Sequence, residues 1–510
     1  MRTWTKHSLQ QVVVQRMRGY KFIAVSNREP YIHEERNGKI ECIKPASGLT
    51  AAIDPIMRAA GGVWIAHGSG TADRTTVDAR QHVRVPPETP TYDLRRVWLP
   101  PEIERDYYYG MANEGIWPLC HIAFRRPRFR RHDWESYRRA NELFAEAVLE
   151  EANGDPAFVF IQDYHFGLLP RILKRANPQL TIAQFWHIPW PPNEVFRTFS
   201  WKREFLEGLL GNDLLGFQLP GHCANFLDTI QRNLDASVDY DRAHVRVGNY
   251  ETAVRAFPIS IDFDERSQTA CGPDVSIAKA EWRAVLGDMR EIVGIGIDRI
   301  DYTKGIPERL EAINLLFEEH PEYVGRFTFI QVGAPSRTAI PDYRRLDNLL
   351  FRQVDEINLR WACGSWKPLV FLRRHIDQKS LTALHQMADF CIVSALHDGM
   401  NLVAKEFVAS RIDQDGVLIL SAFAGAAREL TDALIVNPFA SSEIAGAVHR
   451  AIAMPAAERR RRMLRMRETV AVNNVYRWAA RFIVALSSLW APAARGIRKP
   501  EENLIDIEVA

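Results

Sequence analysis

Two short segments contain charged residues whose types and spacing could do chemistry. The first, residues 296–305, places two fixed cations, Arg299 and Lys304, directly after an apolar run that indicates a buried strand. Arginine matches phosphate oxygens with a fork of N–H donors, whereas lysine acts as a point charge. Cations at this point could stabilise a diphosphate as its bond to a sugar breaks. The predicted chemistry is transfer of a sugar from a nucleotide carrier.

The second segment, residues 398–406, follows about a hundred residues later. Gly399 permits a tight turn, and residues 400–403 are predicted to open a helix whose unpaired N–H groups attract anions. Glu406 lies seven positions after Gly399, which predicts the same helix face. Its carboxylate could accept hydrogen bonds from both ribose hydroxyls of a nucleotide. An alternative interpretation remains open for each segment. Arg299 and Lys304 could be solvated surface cations, and the Glu406 carboxylate could only complement the helix dipole.

A second group of residues could bind another substrate. Arg28 and Arg337 could clamp a second anion, since each follows a predicted strand end. Tyr108 and Trp117 offer flat, partly polar rings that suit a sugar face and its hydroxyls. The alternative interpretation is that both rings are core aromatics. His187 is predicted to bond the transferred sugar rather than to act as a nucleophile, because no G-x-S-x-G elbow accompanies it.

Strands that alternate with helices must position these residues, which predicts an α/β fold with parallel sheets. Arg28, Asp163, His187, Arg299 and Asp398 all lie at or just beyond predicted strand ends, where ligands of open parallel sheets gather. Two such sheets facing each other would form a cleft for two substrates. The predicted strands are residues 21–26, 157–162, 181–186, 214–217, 292–297, 327–332, 369–372, 390–393 and 417–420.

The length of 510 residues suits two large domains rather than one core. We place the boundary near residues 257–261, which predicts domains 1–262 and 263–475. The segment 476–510 is predicted to contain an amphipathic helix, residues 476–489, and a loosely ordered tail from residue 491.

Net charge, cysteine spacing and missing motifs argue against several classes of protein. The net charge of +2 gives no field that would steer the chain toward nucleic acid or membrane. Six scattered cysteines without a C-x-x-C pair suggest neither a zinc knuckle nor a disulfide framework, so a cytoplasmic location is expected. Two D-x-D patterns, residues 239–241 and 262–264, lie away from the strand ends, so no metal site is predicted. The missing Walker A sequence argues against a P-loop kinase.

Several motifs, in order along the chain, resemble those of glycosyltransferase family 20. The resemblance extends from about residue 22 to about residue 485. It implies a GT-B fold, in which two Rossmann-like domains face each other across a cleft. It also implies retaining, metal-independent transfer of glucose from UDP-glucose to glucose 6-phosphate, without a cofactor and without a protein nucleophile. The motifs are residues 26–28, 117–118, 163–165, 187–189, 213–217, 299–305, 398–406 and 423–425.

The resemblance also assigns roles to single residues and to the last helix. That helix is expected to cross back onto the N-terminal domain, and a homo-oligomer is expected, with a tetramer as a common form in the family. The implied catalytic residues are Arg299, Lys304, Asp398 and His187. The implied donor contacts are Gly48, Arg299, Lys304, Asp398, Gly399, Met400, Asn401, Leu402, Val403 and Glu406. The implied acceptor contacts are Arg28, Trp64, Tyr108, Trp117, Asp163 and Arg337.

Departures from the family pattern leave alternatives open. Ser47 and His397 stand where the family commonly has glycine and arginine. The sequence of residues 29–31 resembles the same stretch in relatives that use ADP-glucose and glycerol 3-phosphate. The alternatives are therefore another nucleotide donor, such as ADP- or GDP-glucose, another acceptor, such as glycerol 3-phosphate or a cyclitol phosphate, or a catalytically silent sugar-phosphate sensor on the same fold.

Overall fold

A computed structural model describes residues 3–17, 20–45, 48–287 and 291–489. Ser47 and the tail predicted from residue 491 lie outside the described residues. Within these ranges, no helix has the length and apolar character needed to cross a membrane.

The strands of the described residues form two large sheets and one small hairpin. In chain order they are β1 (Lys21–Arg28), β2 (Ile32–Arg36), β3 (Lys39–Ile43), β4 (Val63–His67), β5 (His82–Val85), β6 (Tyr92–Val97), β7 (Ala157–Gln162), β8 (Thr181–Phe185), β9 (Leu214–Phe217), β10 (Ser237–Asp239), β11 (His244–Val247), β12 (Tyr250–Ala256), β13 (Ile292–Arg299), β14 (Phe327–Ala334), β15 (Leu369–Leu372), β16 (Phe390–Val393), β17 (Val417–Ser421) and β18 (Leu434–Val436).

The helices pack on both faces of the large sheets. In chain order they are α1 (Lys6–Arg16), α2 (Gly48–Ala60), α3 (Asp73–Thr76), α4 (Pro101–Glu104), α5 (Trp117–His121), α6 (Arg131–Ala152), α7 (Leu169–Ala176), α8 (Asn193–Phe196), α9 (Lys202–Leu209), α10 (Pro220–Asn233), α11 (Phe263–Cys271), α12 (Pro273–Leu286), α13 (Ile306–Glu319), α14 (Pro341–Trp361), α15 (Gln378–Met387), α16 (Leu402–Ser410), α17 (Ser441–Ala453), α18 (Ala456–Val472) and α19 (Val475–Leu489). A π-helix, Arg105–Ile116, joins α4 to α5.

The N-terminal sheet has the strand order β10-β11-β12-β9-β8-β7-β1-β4-β6-β5. Its central strands pair in parallel, and antiparallel pairs occur only toward its two edges among the described residues. All six residues of β7 are buried, as expected for a strand covered on both faces. The parallel centre brings the carboxyl ends of β1, β7 and β8 to one edge of the sheet.

The C-terminal sheet has the order β15-β14-β13-β16-β17-β18, and its strands are all parallel in the described part of the chain. The five strands predicted in this half correspond to β13 through β17, and β18 was not predicted. β13 lies at the centre, between β14 and β16. Its carboxyl end, at Arg299, therefore opens at the middle of the sheet edge.

Helix α19 packs on the N-terminal domain, away from the sheet that precedes it in sequence. The Phe482 ring lies 4.4 Å from the ring of Phe160 and 4.9 Å from that of Phe257. The backbone N–H of Val475 donates to the carbonyl of Ile261 in the connection between the domains, at 2.9 Å. Burial of such rings stabilises the crossing helix.

The two sheets present their carboxyl edges to each other across a cleft. Arg337, beyond the end of β14, donates to the hydroxyl of Tyr164, beyond the end of β7, at 3.3 Å. His397 Nδ1 lies 2.9 Å from the backbone carbonyl of His121. The fold is thus α/β with two sheet domains facing each other, as the sequence predicts.

Candidate active site at the interdomain cleft

The loop after β13 holds Lys304 in a fixed position. The Asp301 carboxylate accepts hydrogen bonds from the backbone N–H and the hydroxyl of Thr303, at 3.1 and 3.0 Å. Gly305 then adopts φ +62°, and a Cβ there would lie 2.0 Å from the carbonyl oxygen of Ser394. Only glycine permits this turn and this close approach. The loop therefore follows one path from the end of β13 to Lys304.

Lys304 and Asp398 form an ion pair at the centre of the C-terminal side of the cleft. Their Nζ and Oδ2 atoms are 2.6 Å apart, and Asn401 Nδ2 donates to the same oxygen at 3.1 Å. Burial would raise the pKa of Asp398, but Lys304 and the hydrogen bonds lower it overall. Asp398 is therefore ionised, and it orients the ammonium group of Lys304.

Helix α16 begins later than the sequence analysis predicts. Its first residue is Leu402, and Asn401 caps it by accepting a hydrogen bond from the N–H of Ala404 at 3.3 Å. Met400 therefore precedes the helix, and the prediction that Gly399 shares a helix face with Glu406 is wrong. Because the Asn401 side chain accepts this hydrogen bond, Asn401 is the N-cap and the helix begins at the next residue. The N–H groups of Leu402 and Val403 have no partner within the helix.

Gly48 lies against the start of this helix. A Cβ built on Gly48 would lie 2.8 Å from Cδ1 of Leu402. The beginning of α2 thus lies close to the first residue of α16, and a larger residue at 48 would displace the Leu402 side chain.

Glu406 has a partner that the sequence analysis did not predict. Arg266, on α11, donates to its Oε1 at 2.8 Å, and both side chains are largely buried. Among the described residues, the second carboxylate oxygen has no hydrogen-bond partner. Glu406 is therefore held by one oxygen, which leaves the other available to a ligand.

Gly399 brings the backbones of the two domains into contact. A Cβ on Gly399 would lie 2.1 Å from the carbonyl oxygen of His187, and a Cβ on Gly425 would lie 2.1 Å from the carbonyl oxygen of Gly399. The His187 ring bonds to Gln162 Oε1 through Nε2 at 2.9 Å. Burial lowers the pKa of His187 to about 3, so the ring is neutral at physiological pH. With Nε2–H donating to Gln162, Nδ1 is an acceptor.

Asp163 occupies a strained backbone position at the carboxyl end of β7. Its φ is +71°, and Oδ1 accepts a hydrogen bond from the N–H of His187 at 3.2 Å. Burial raises its pKa to about 7, although Arg337 and Arg299 act in the opposite direction. Strain of this kind concentrates at functional sites, and a carboxyl group that titrates near neutrality can exchange hydrogen bonds with a sugar hydroxyl.

Three arginines from both domains converge on two aromatic rings. The Arg337 Cζ lies 4.1 Å and the Arg299 Cζ 5.9 Å from the centre of the Trp117 ring. Arg28 donates to the Tyr108 hydroxyl at 3.2 Å. Burial, together with the positive charges of Arg337 and Arg28, lowers the pKa of Arg299. Cations that destabilise one another in this way define a strong anion site.

Arg337 is fixed from several directions. Its Nη1 donates to Asp301 at 3.2 Å and to the hydroxyl of Tyr343 at 2.5 Å, and Nη2 donates to the Tyr164 hydroxyl. These partners orient the guanidinium before any ligand arrives, so little side-chain entropy is lost on binding. Sequence reasoning missed Asp301, Tyr164 and Tyr343, although the first two lie inside or next to motifs that were noted.

Several buried polar atoms around the cleft have no hydrogen-bond partner among the described residues. Buried polar groups are nearly always paired, so these atoms mark places where a ligand or water binds. The His165 ring, which the sequence analysis did not assign, stacks on Tyr108 with 5.8 Å between centroids. The unpartnered atoms are Trp117 Nε1, Arg337 Nε, His165 Nε2 and Gln162 Nε2.

Trp64 lies within the sheet of the N-terminal domain, on β4. Its ring is fully buried, its Nε1 donates to Ser26 Oγ at 2.8 Å, and it stacks on Tyr92. Trp64 is the second residue of β4, before the carboxyl end of that strand, and its predicted acceptor contact stays a prediction. The strand ends at His67, whose Nδ1 bonds to the carbonyl of Val97 at 3.1 Å.

This two-domain fold with a cationic cleft is that of a glycosyltransferase. The family model for glycosyltransferase family 20 matches residues 20–488, and the chain belongs to that family. The resemblance stated from the motifs is thus confirmed, together with the GT-B fold and the enzyme class.

Curated relatives share most of this length. A trehalose-6-phosphate synthase of Mycolicibacterium vanbaalenii is 38% identical over 478 residues, which cover 92% of this chain and 96% of that protein. A bifunctional trehalose-6-phosphate synthase/phosphatase of Thermoproteus tenax is 37% identical over 95% of this chain, and the match spans 66% of that longer protein.

Solved structures of similar proteins superpose on most of the chain. The UDP-forming α,α-trehalose-phosphate synthase of Burkholderia xenovorans, in complex with glucose-6-phosphate, superposes with a TM-score of 0.82 at 30% identity, covering 91% of this chain and 99% of that one. The E. coli structure bound with UDP-2-fluoro glucose gives a TM-score of 0.81 at 30% identity, covering 92% and 99%.

Proposed function

We propose that this enzyme transfers glucose from UDP-glucose to glucose 6-phosphate, with retention of configuration, and forms trehalose 6-phosphate and UDP. One observation carries the proposal: cations of both domains face one cleft and are held there before a ligand binds. The names of the relatives, and the two ligands in the neighbouring structures, support this choice of substrates. The proposal needs no metal ion.

On the donor side, Arg299, Lys304 and the start of α16 are proposed to bind the diphosphate. The ammonium group is already oriented by Asp398, and the N–H groups at the helix start add partial positive charge. The free oxygen of Glu406 is proposed to accept hydrogen bonds from the ribose. Asp398 and the neutral His187, whose backbones meet through Gly399, are proposed to contact the transferred glucose.

On the acceptor side, Arg28 and Arg337 are proposed to bind the phosphate of glucose 6-phosphate. The N–H of Trp117 and the Asp163 carboxyl, both at the cleft, would bond the sugar hydroxyls. Tyr108 would contact the phosphate through its hydroxyl.

The proposed reaction uses no enzyme nucleophile. The acceptor hydroxyl attacks the anomeric carbon from the face that the diphosphate leaves, the bond to the diphosphate oxygen breaks, and a diphosphate oxygen takes the hydroxyl proton. Arg299 and Lys304 stabilise the charge that develops on the leaving group, and such interactions act mainly in the transition state.

The test is product analysis with a panel of donors and acceptors. We expect a non-reducing disaccharide phosphate and UDP from UDP-glucose and glucose 6-phosphate, in the presence of EDTA. Turnover only with ADP- or GDP-glucose would show that the proposed donor is wrong. Turnover only with glycerol 3-phosphate or a cyclitol phosphate would show that the proposed acceptor is wrong. Calorimetric binding of sugar phosphate without turnover of any pair would indicate a sensor. The cytoplasmic location and the homo-oligomeric, up to tetrameric, state stay predictions.

Replacement of Arg337 with alanine is expected to weaken acceptor binding more than it slows turnover. The variant loses a prepositioned charge beside Trp117, so we expect KM for glucose 6-phosphate to rise about 10- to 100-fold. Steady-state kinetics at saturating donor measures this. Arg344→Ala, which removes an exposed arginine from α14, is the matched control. A fall in kcat with unchanged KM would contradict the acceptor role.

Tyr108 is expected to make acceptor binding depend on pH. Burial alone would raise its pKa, but Arg28, Arg337 and Arg299 lower it to about 7. Below pH 7 the phenol is neutral and the arginines are free for the phosphate. Above pH 7 a phenolate competes with the phosphate, so KM for the acceptor should increase by up to about tenfold per pH unit.

The Tyr108→Phe variant provides the control for this pH dependence. It removes the titrating hydroxyl and keeps the ring, so any change of KM that stays in the variant comes from Asp163 or from the phosphate of the acceptor itself. Equal pH profiles of KM in the wild type and in Tyr108→Phe would contradict the prediction.

A further inference from the structure

A cluster of metal-ligating side chains lies outside the cleft, where the end of α13 meets α17. His320 directly follows α13, Glu322 lies in the short 3₁₀ turn Pro321–Tyr323 after it, and His449 lies on α17. One possible ligand atom from each of the three side chains lies within 4.8 Å of the other two. This α13–α17 cluster thus joins two helices of the C-terminal domain that are distant in sequence.

The three side chains of the α13–α17 cluster already contact one another. The His320 and His449 rings stack with 3.8 Å between centroids, and His320 Nδ1 lies 3.1 Å from Glu322 Oε1. Zn²⁺ binds imidazole nitrogen and carboxylate oxygen at about 2.0–2.2 Å, which places neighbouring ligand atoms about 3.3 Å apart in a tetrahedron. The rings must tilt out of their stacked arrangement to reach one ion, and both are partly exposed, which permits small rotations.

A neighbouring tyrosine orients His449. The hydroxyl of the buried Tyr323 lies 2.9 Å from His449 Nδ1. When Nδ1–H donates to this hydroxyl, the lone pair of the neutral ring lies on Nε2, which has no hydrogen-bond partner among the described residues. Histidines that bind metals usually have such a partner on the second nitrogen, because it fixes the tautomer and the ring orientation. His449 is therefore arranged to bind an ion through Nε2.

A second cluster of possible ligands differs in its charge. It consists of Asp106, His132 and Asp133. Arg105 Nε binds the first carboxylate at 2.7 Å, and Arg130 Nη1 binds the second at 3.0 Å. In the α13–α17 cluster, by contrast, no arginine or lysine of the described residues pairs with the carboxylate. A divalent cation is therefore favoured at the α13–α17 cluster.

The α13–α17 cluster is remote from the proposed reaction. Helix α13 begins two positions after Lys304, and its 14 residues span about 20 Å. The cluster lies at the far end of this helix. An ion there would connect the end of α13 to α17 and stabilise the C-terminal domain without contacting the substrates proposed for the cleft.

We propose that His320, Glu322 and His449 bind Zn²⁺ or a similar late first-row divalent ion, with water in the fourth position. Two imidazoles and one carboxylate are a ligand set that suits such an ion. The ion stabilises the contact between α13 and α17 and lies outside the transfer reaction.

Equilibrium dialysis of the full chain against about 10 µM Zn²⁺ measures how many ions it binds. We expect His449→Ala to bind one ion fewer than the wild type, because two ligands remain. His375→Ala removes an exposed histidine outside both clusters and should bind as many ions as the wild type. Zn²⁺ should also raise Tm by about 1 °C or more in the wild type, but not in His449→Ala.

Further measurements cover the case in which His449→Ala fails to fold. Glu322→Gln keeps the size of an exposed side chain and removes its charge, so it should weaken binding by about tenfold or more. In crystals soaked with Zn²⁺, anomalous density should lie about 2.0–2.2 Å from a ligand atom of each of the three side chains. Equal numbers of bound ions in the wild type and His449→Ala, an equal loss in His375→Ala, or anomalous density only at the second cluster would each overturn the proposal.

Discussion

Replacement of Arg299 with alanine is expected to reduce kcat by about 100- to 1000-fold, because one stabilising group at a leaving group contributes several kcal/mol. Arg299 ends the central strand of the C-terminal sheet and lies near Trp117, within the cationic group of the cleft. Single-turnover assays with UDP-glucose and glucose 6-phosphate measure the chemical step directly.

Binding measurements separate this role from simple loss of donor affinity. We expect calorimetry to show UDP binding weakened by a smaller factor than kcat, because the charge on the diphosphate grows as the bond breaks. Arg326→Ala is a matched control, since that arginine is exposed and pairs only with the exposed Glu291 among the described residues. Near-normal turnover of Arg299→Ala would contradict leaving-group stabilisation.

Replacement of Gly399 with alanine is expected to abolish most activity, by about 100-fold or more, through the geometry of the cleft. The added Cβ would lie 2.1 Å from the carbonyl oxygen of His187 and 3.1 Å from its carbonyl carbon. These atoms are backbone, so the two domains must separate or the loop that carries Asp398 must shift. Either change misplaces groups that need to be positioned within about 0.5 Å.

Gly446→Ala is the control for this variant. A Cβ at Gly446, in α17 of the same domain, meets no atom within 4 Å. We expect that variant to retain full activity, and both variants to retain the far-ultraviolet circular dichroism of the wild type. Activity of Gly399→Ala within twofold of the wild type would show that the contact between Gly399 and His187 is not needed.

The general architecture could be predicted because buried parallel strands have a recognisable pattern in the local sequence. Buried strands such as β7 and β13 are continuous apolar runs that end in polar residues, and the ends of parallel strands meet at one edge. This rule placed Arg299, Asp163 and His187 at the edges of the sheets. Strand β6 was not predicted, because it alternates buried and half-buried residues and includes the buried Arg96.

Side-chain partners could not be predicted, because they depend on contacts distant in sequence. Glu406 pairs with Arg266, which lies 140 positions earlier. The error at Gly399 arose from counting positions along a helix whose start is set by the cap at Asn401. The partners of Trp64 were not predicted either, because the resemblance to the family gave its residue type but not its position within β4.

The central claim is that cations of the two domains bind two anionic substrates in one cleft and neutralise the departing diphosphate. The most direct test is a crystal structure of the full chain with UDP and glucose 6-phosphate. The account predicts the diphosphate within hydrogen-bond distance of Arg299 and Lys304, the ribose on Glu406, and the acceptor phosphate on Arg28 and Arg337. A nucleotide bound away from Arg299, or a ribose distant from Glu406, would contradict it.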